Sequence, residues 1–423
     1  MRENGTSTTA TTAAIGIEAV PPSLLLRSAT LTSGERVDVR CEDGVITHVA
    51  ASLQHLGADE VVDLDGHILT TSFVEPHAHL DKAFLADRIT NSTGDLVGAI
   101  HGLHAVRHIL TRTDTTQRAI RAAELMSRNG VTSIRTHADT VLDSGTQNIE
   151  ALNDAKQACA GFMEIQVAML LEWPLSGVGS RERHALANDA IAVGIDVVGG
   201  CPHLDDDPKA AIDYLLELAV NNDLPLDLHA DENLRPDSCD LEYVADLMIS
   251  NNVRHRVNAS HCVSLSARSE HDMRRIAEKV AEAGISVTAL PQTNLFLQAR
   301  GQFTLPPRAI TPLSILRQAG VTVAGGADNL QDPFNSMGRG DPLEIASLLV
   351  TASHVSPTEA LSMVSTDAER VVHGTSSSVE VGAKANLVAL RAATVRESIA
   401  MGPPDRVVVY GGVVINEHIR NRK

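Results

Sequence analysis

The stretch TSFVEPHAHLDKAF (Thr71–Phe84) runs from a short β-branched and aromatic segment into two histidines one residue apart. Side chains two apart on a strand point the same way, so His77 and His79 aim at one point beyond the strand's end. Alone, the pair reads equally well as two metal ligands or as two hydrogen-bonded imidazoles. The choice turns on whether similar strand ends recur along the chain.

They do. Eight apolar, β-branched runs follow one another: SFVEPHAHLD, VTSIRTHADT, EIQVAMLLEW, DVVGGCPHLD, LPLDLHADEN, RVNASHCVSL, ISVTALPQTN and VTVAGGADNL. Between them, segments such as TQRAIRAAELMSRNG, DPKAAIDYLLELAVNN and EHDMRRIAEKVAEAG carry apolar residues at helical spacing and stop at Gly or Asn. Strand–helix alternation implies a parallel sheet, and eight strands are the number that closes a (β/α)8 TIM barrel. Functional groups of such a barrel sit just after the strand C-termini. A doubly wound open sheet is the competing architecture, but no Gly-rich nucleotide fingerprint supports it.

Both chain ends read differently. SLLLRSATLTSGERVDVRCEDGVITHVAA and VVDLDGHILT near the start, with VGAKANLVALRA and RVVVYGGVVINE near the finish, are strands punctuated by turn residues. The expected organisation is a disordered tail over 1–20 and a small β-sandwich domain built from 21–70 together with 375–423. A catalytic α/β barrel over 71–374 lies between its two parts.

Composition narrows the function. At 2 % aromatic residues, the core must rest on Ala, Val, Ile and Leu. A formal charge of -18 argues against a nucleic-acid backbone or an anionic membrane as partner, and a small, neutral substrate fits it better. The five cysteines are scattered and never form a CxxC pair, which points to a reducing compartment and not to a disulfide frame or structural zinc cluster. The N-terminal segment lacks the basic start and apolar core of a signal peptide, and no run is long enough to span a membrane. A cytoplasmic enzyme is expected, with homo-oligomerisation left open.

The polar residues at the strand ends carry the chemistry. His77 and His79 end the first strand, His229 the fifth, His261 the sixth and Asp328 the eighth. Imidazoles plus one carboxylate suit a borderline divalent ion such as Zn²⁺ or Fe²⁺. A catalytic ion of this kind lowers the pKa of bound water to about 7. Glu232, three residues past His229, reads as a proton carrier beside such a water or as a solvated acid. Asp231 reads as a structural or capping residue. His261 either binds metal or stabilises the activated water. His137 and Asp139 are candidates for hydrogen-bonding the ligands from behind, or for packing at the barrel rim. His203 reads as a substrate contact, Cys262 as a small buried filler and the Asp205–Asp207 run as a solvated loop. His101, His104 and His108 lie in helical pattern and read as surface residues.

FVEPHAHLDK, RTHADT, DLHADE, NASH and GADNLQDPF, in this order and spacing, resemble the amidohydrolase superfamily, in its cytosine deaminase-like branch. The resemblance runs from about Pro22 over nearly the whole chain. It implies one divalent metal ion, iron or zinc, held by His77, His79, His229 and Asp328. It assigns catalytic roles to Glu232, His261 and Asp328. No lysine ends a middle strand, which favours one metal over the carboxylated-lysine pair of related branches. The implied reaction is hydrolytic deamination of a small, cytosine-like cyclic amidine. Activated hydroxide attacks the C–N carbon, and ammonia or an amine leaves. N-alkylamine or cyclic amide hydrolysis of s-triazines and similar rings is the alternative on the same scaffold, ahead of a catalytically silent binding barrel. Two departures bear on substrate. Leu171, Glu172 and Trp173 replace the branch's third-strand glutamine, and Asn329 follows Asp328 where cytosine deaminases carry a second Asp. Glu172, His203, Gln298 and Asn329 are the expected substrate contacts.

Overall fold

The computed structural model of the protein describes residues 23–415. The tail expected at 1–20 lies outside the described residues. Eight parallel strands follow the eight quoted runs: β1 (Phe73–Ala78), β2 (Val131–Thr140), β3 (Glu164–Leu171), β4 (Val198–Gly200), β5 (Leu226–Ala230), β6 (Val257–His261), β7 (Ser286–Ala289) and β8 (Val323–Gly325). Each pairs with the next in sequence order. A parallel bridge between Ala78 and Asp328 brings β8 back to β1, so the sheet closes into a barrel.

The helices between strands are those the apolar spacing predicts, and local chemistry sets their ends. Glu270–Ala283 starts where the Ser269 hydroxyl accepts the Asp272 N–H, and stops at Gly284 in the left-handed conformation, φ +73°. Pro208–Asn221 starts on the Asp207 side chain with proline in its first turn. Their buried faces and the outward faces of the strands share one aliphatic core rich in Ala, Val, Ile and Leu. β4 is short and Gly-rich for a steric reason. A Cβ on Gly199 would sit 2.6 Å from the Met169 carbonyl oxygen and 2.7 Å from that of Asp227.

Inside the barrel the filling is polar. Arg135, 1 % exposed, donates to the Asp227 carboxylate at 2.8 Å and to the carbonyls of Val371 and Val372. Asp227 also accepts from Asn258 and Ser260, at 2.9 and 3.0 Å. Glu75 accepts the N–H groups of His77 and Ala327, tying β1 to the residues just after β8. Burial pushes the Glu75 carboxyl up to about 8. Arg135, Asp227 and Glu75 therefore all have partners, as a low-dielectric interior demands.

The chain ends form a second eight-stranded sheet. The expected sandwich takes the form of one sheet that forks. Ser23–Leu31 pairs antiparallel with Arg36–Glu42 on one side. On its other side it pairs parallel with Asp59–Asp63 over its first half and with His67–Thr71 near its end. The switch falls at a register shift between Leu26 and Ala29, where Ser28 takes φ +60°. His67–Thr71 pairs antiparallel with Leu387–Arg391 from the far end of the chain. Leu24, Leu26, Val37, Val39, Leu387 and Val409 belong to a separate apolar cluster of this sheet. No helix among the described residues is long and apolar enough to cross a membrane.

Candidate metal centre

Five strand-end residues converge at the C-terminal mouth of the barrel. His229 Nε2 lies 3.1 Å from His77 Nε2 and 3.2 Å from His79 Nε2. Asp328 Oδ1 lies 3.2 Å from His79 Nε2 and 3.7 Å from His77 Nε2. Nitrogen ligands about 2.0–2.1 Å from one ion stand about 3.0–3.4 Å from one another. The spacing of the three imidazoles therefore fits a shared cation. Asp328 Oδ2 and His229 Nδ1 are buried without hydrogen-bond partners. Burial, then the neighbouring imidazoles, holds His77 and His229 well below the usual histidine range, and burial does the same to His79. All three are neutral, as metal ligands must be.

The orientation of His77 is fixed from behind. Its Nδ1 lies 2.8 Å from Ser260 Oγ, whose hydroxyl donates to Asp227. Ser260 therefore accepts the Nδ1 proton, which leaves the Nε2 lone pair facing the cluster. Local backbone geometry aims other members. Asp231, His261 and Asp328 all take left-handed φ values, of 53°, 68° and 63°. Such φ values in non-glycine residues mark positions where the surrounding structure overrides local preference. Asp231 points away from the cluster and accepts the N–H groups of Asp240 and Leu241 at the start of the helix Asp240–Ser250. Its role is that of a cap.

Glu232 is 6 % exposed and stands between two histidines. Its oxygens lie 3.7 Å from His203 Nε2 and 3.7 Å from His261 Nδ1. Burial, reinforced by the Asp328 charge, raises its carboxyl well above the usual range. His203 Nδ1 donates to the His229 carbonyl at 2.8 Å, and burial lowers its pKa to about 4. A neutral ring with Nδ1 beside a carbonyl carries its proton there, so Nε2 faces Glu232 as an acceptor. His261 Nδ1 meets Asn294 Oδ1 at 3.1 Å, and its Nε2 is buried without a partner.

This constellation sits on a chain whose residues 108–416 match the model of the amidohydrolase family. The chain belongs to the amidohydrolase family. It is a hydrolase acting on C–N bonds. Over 389 residues it is 28 % identical to the pterin deaminase of Rhizobium rhizogenes, covering 91 % of this chain and 89 % of that protein. The 5-methylcytosine deaminase of Klebsiella pneumoniae, solved with 5-fluorocytosine, matches with a TM-score of 0.85 at 26 % identity. The match covers 93 % of this chain and 97 % of that one. N-isopropylammelide isopropylaminohydrolase from Burkholderia multivorans matches with a TM-score of 0.81 at 27 % identity, over 93 % and 98 % of the two chains.

In this amidohydrolase a cavity of about 310 Å³ opens over the cluster. His79, His229, Glu232, His261 and Asp328 all reach it. Of the expected substrate contacts, Glu172 and Asn329 line it. Glu172 accepts the Leu142 N–H, and Asn329 donates to Asp332 at 2.9 Å. His203 and Gln298 are not among the lining residues. Both support Glu232, His203 through the contact above and Gln298 by donating to the Glu232 carbonyl at 3.3 Å. His137 is fully buried against the His77 ring, with centroids 4.1 Å apart.

Several lining residues escape a strand-end reading. Lys82 donates to Asp139 at 2.8 Å and lies 3.1 Å from His79 Nδ1. Leu96, Ile100, Leu103 and His104 come from the helix Leu96–Val106, inserted between β1 and the helix that returns to β2. His104, expected on the surface, sits at the cavity as an exposed residue, while His101 and His108 are exposed away from it. The sequence signal for this wall is the length of the β1–β2 connection, which holds two helices where one suffices to return the chain.

Proposed function

We propose that this amidohydrolase is a single-metal hydrolytic deaminase of a small nitrogen heterocycle carrying a cyclic amidine, with ammonia or an amine as leaving group. Its metal is one iron or zinc ion held by His77, His79, His229 and Asp328. The observation that carries the reading is Glu232, a buried carboxyl beside the ligand cluster, 3.7 Å from His261 Nδ1, whose surroundings raise it well above the usual carboxylate range. A buried acid with no cation to pair with is costly unless protonated, and its placement suits proton donation to a ring nitrogen.

When bound, a divalent ion supplies a Lewis acid that makes water acidic near neutral pH. The unpartnered Oδ2 of Asp328 accepts a proton from the attacking water, and the free Nε2 of His261 orients that water. Glu232 gives its proton to the ring nitrogen beside the reacting carbon, which makes that carbon electrophilic. Glu232 then takes up the proton of the new hydroxyl as the carbonyl forms and passes it to the exocyclic nitrogen, which leaves as a neutral amine, and the proton held by Asp328 restores Glu232. Atoms balance: water adds across the C=N bond, the C–N bond to the amine breaks, and a ring carbonyl remains. His203 and Gln298 position Glu232 throughout.

Glu172 and Asn329 are the proposed contacts to the ring edge. Glu172 accepts hydrogen bonds from ring N–H groups, a pattern that differs from an amide's and disfavours cytosine itself. A second reading, removal of an alkylamine from such a ring, is favoured by one observation. Leu96, Ile100, Leu103 and Phe334 give the cavity an apolar wall that accommodates an alkyl substituent.

Metal analysis of purified protein, paired with ammonia and amine release from pyrimidines, triazines, pterins and creatinine-like rings, tests the proposal. One equivalent of iron or zinc and turnover of at least one ring are expected. Protein without stoichiometric divalent metal, inert toward every ring, overturns it.

A further inference from the structure

We propose that the substrate carries a carboxylate, read by Arg107 and Arg183 at the outer wall of the cavity. This inference rests on the proposed reading of the site as one that takes a heterocycle. Net charge pointed to a neutral substrate, but charge averaged over 423 residues says nothing about one wall of one cavity.

Both arginines line the cavity, and neither comes from a strand. Arg107 follows the helix Leu96–Val106, and Arg183 sits in the helix Ser180–Val193 after β3. Their side chains are only 13 % and 15 % exposed. Guanidinium groups this covered normally spend their donors on carboxylates or carbonyls. These do so incompletely. Arg107 Nη2 lies 3.7 Å from Asp139, and Arg183 Nη2 lies 3.6 Å from Glu172, both beyond hydrogen-bond range. Arg183 Nε is buried with no partner, and its one hydrogen bond runs from Nη1 to the Gly179 carbonyl.

The two nearby carboxylates are already engaged elsewhere. Asp139 accepts from Lys82 at 2.8 Å, and Glu172 accepts the Leu142 N–H. Two cations with spare donors thus face the cavity. A planar carboxylate matches the fork geometry of guanidinium donors. A cavity of about 310 Å³ is small for a ligand site, which favours a carboxylate over a bulkier phosphate ester. The metal cluster and Glu232 then act on the ring while the arginines hold its substituent and fix which ring carbon is presented.

The test uses the metal-loaded enzyme and matched substrates: cytosine against 5-carboxycytosine, and pterin against pterin-6-carboxylate. In at least one pair, kcat/KM for the carboxylated member should exceed that of the neutral one by about 10-fold or more. Arg107→Ala and Arg183→Ala should each cut that ratio by about the same factor, and Arg183→Lys should restore part of it. A ratio at or below one in both pairs, or a ratio that neither alanine variant changes, overturns the inference. If no ring is hydrolysed, the deaminase reading is what fails. Calorimetric binding of pterin and pterin-6-carboxylate then decides this inference separately. Tighter binding of the acid that disappears in the alanine variants sustains it, and equal binding of the two overturns it.

Discussion

The N–H of Asp328 donates to the carbonyl of His77 at 2.9 Å. In return the Asp328 carbonyl accepts the His79 N–H at 3.1 Å. The bridge that closes the barrel is therefore the same piece of backbone that brings the carboxylate to the first pair of imidazoles. Glu75 adds a third link by bonding the Ala327 N–H. Ligand geometry at this edge is set by main chain, which tolerates less slack than side-chain packing.

Removing the acid at the centre of the proposed chemistry should separate binding from turnover. Glu232→Gln should retain its metal while kcat falls by about 10²–10⁴-fold. Metal content and steady-state rates measured on one preparation check this, and near-normal kcat in the variant would refute the role.

The same residue sets a pH profile. Burial raises the Glu232 carboxyl, so its acid form, the proposed proton donor, persists to higher pH than an ordinary carboxyl's and is lost as pH rises through its elevated pKa. An ordinary carboxyl, near 4.5, would already be ionised at pH 6. We expect kcat/KM to hold through neutrality and to decline on the alkaline side. A profile that falls away between pH 4 and 6 would show that the protonated form is not the active one.

Ser260 and Asp227 share a hydrogen bond, yet their loss should be felt differently. Ser260→Ala deprives the His77 Nδ1–H of its acceptor and should weaken metal affinity by about 10–100-fold with a modest effect on stability. Asp227→Asn leaves Arg135 buried without its counter-charge and should destabilise the fold by about 3–5 kcal/mol. Metal titration and denaturant unfolding of both variants distinguish the two effects.

Away from the site, Glu242 joins the helix Asp240–Ser250 to Arg275 and Lys279 of the helix Glu270–Ala283, and to Arg268 just before it. Hydrogen bonding from Arg275 holds its carboxyl down to about 2, against 4.5 when unperturbed. Between those values the unfolded chain binds the proton more readily, so this stabilisation is present above pH 4.5 and fades as pH falls toward 2. Glu242→Gln should cost about 1 kcal/mol near neutrality and nothing at pH 2, read as a shift in denaturant midpoint across pH.

The strand ends made the metal cluster legible. Strand periodicity places side chains two apart on one side, and a barrel brings all its strand C-termini to one mouth. His77, His79, His229, His261 and Asp328 could be gathered from eight short runs for that reason. Arg107, Arg183 and Lys82 could not, because they reach the cavity from helices and connections whose direction no local pattern fixes. His203 and Gln298 show a related limit. Their position in the chain suits substrate contact, but whether a side chain faces the cavity or the back of Glu232 depends on packing between elements. The fork in the terminal sheet was hidden too, since a single bulge near Ser28 decides which partner Ser23–Leu31 takes at each half.

That terminal sheet also ties the two chain ends to the barrel mouth. β1, which ends at the first two imidazoles, is preceded by His67–Thr71, and that strand is secured by Leu387–Arg391. The segment that leads into the first two imidazoles is thus clamped between an early strand and a late one, so strain in either terminal segment reaches the mouth of the barrel through a single strand.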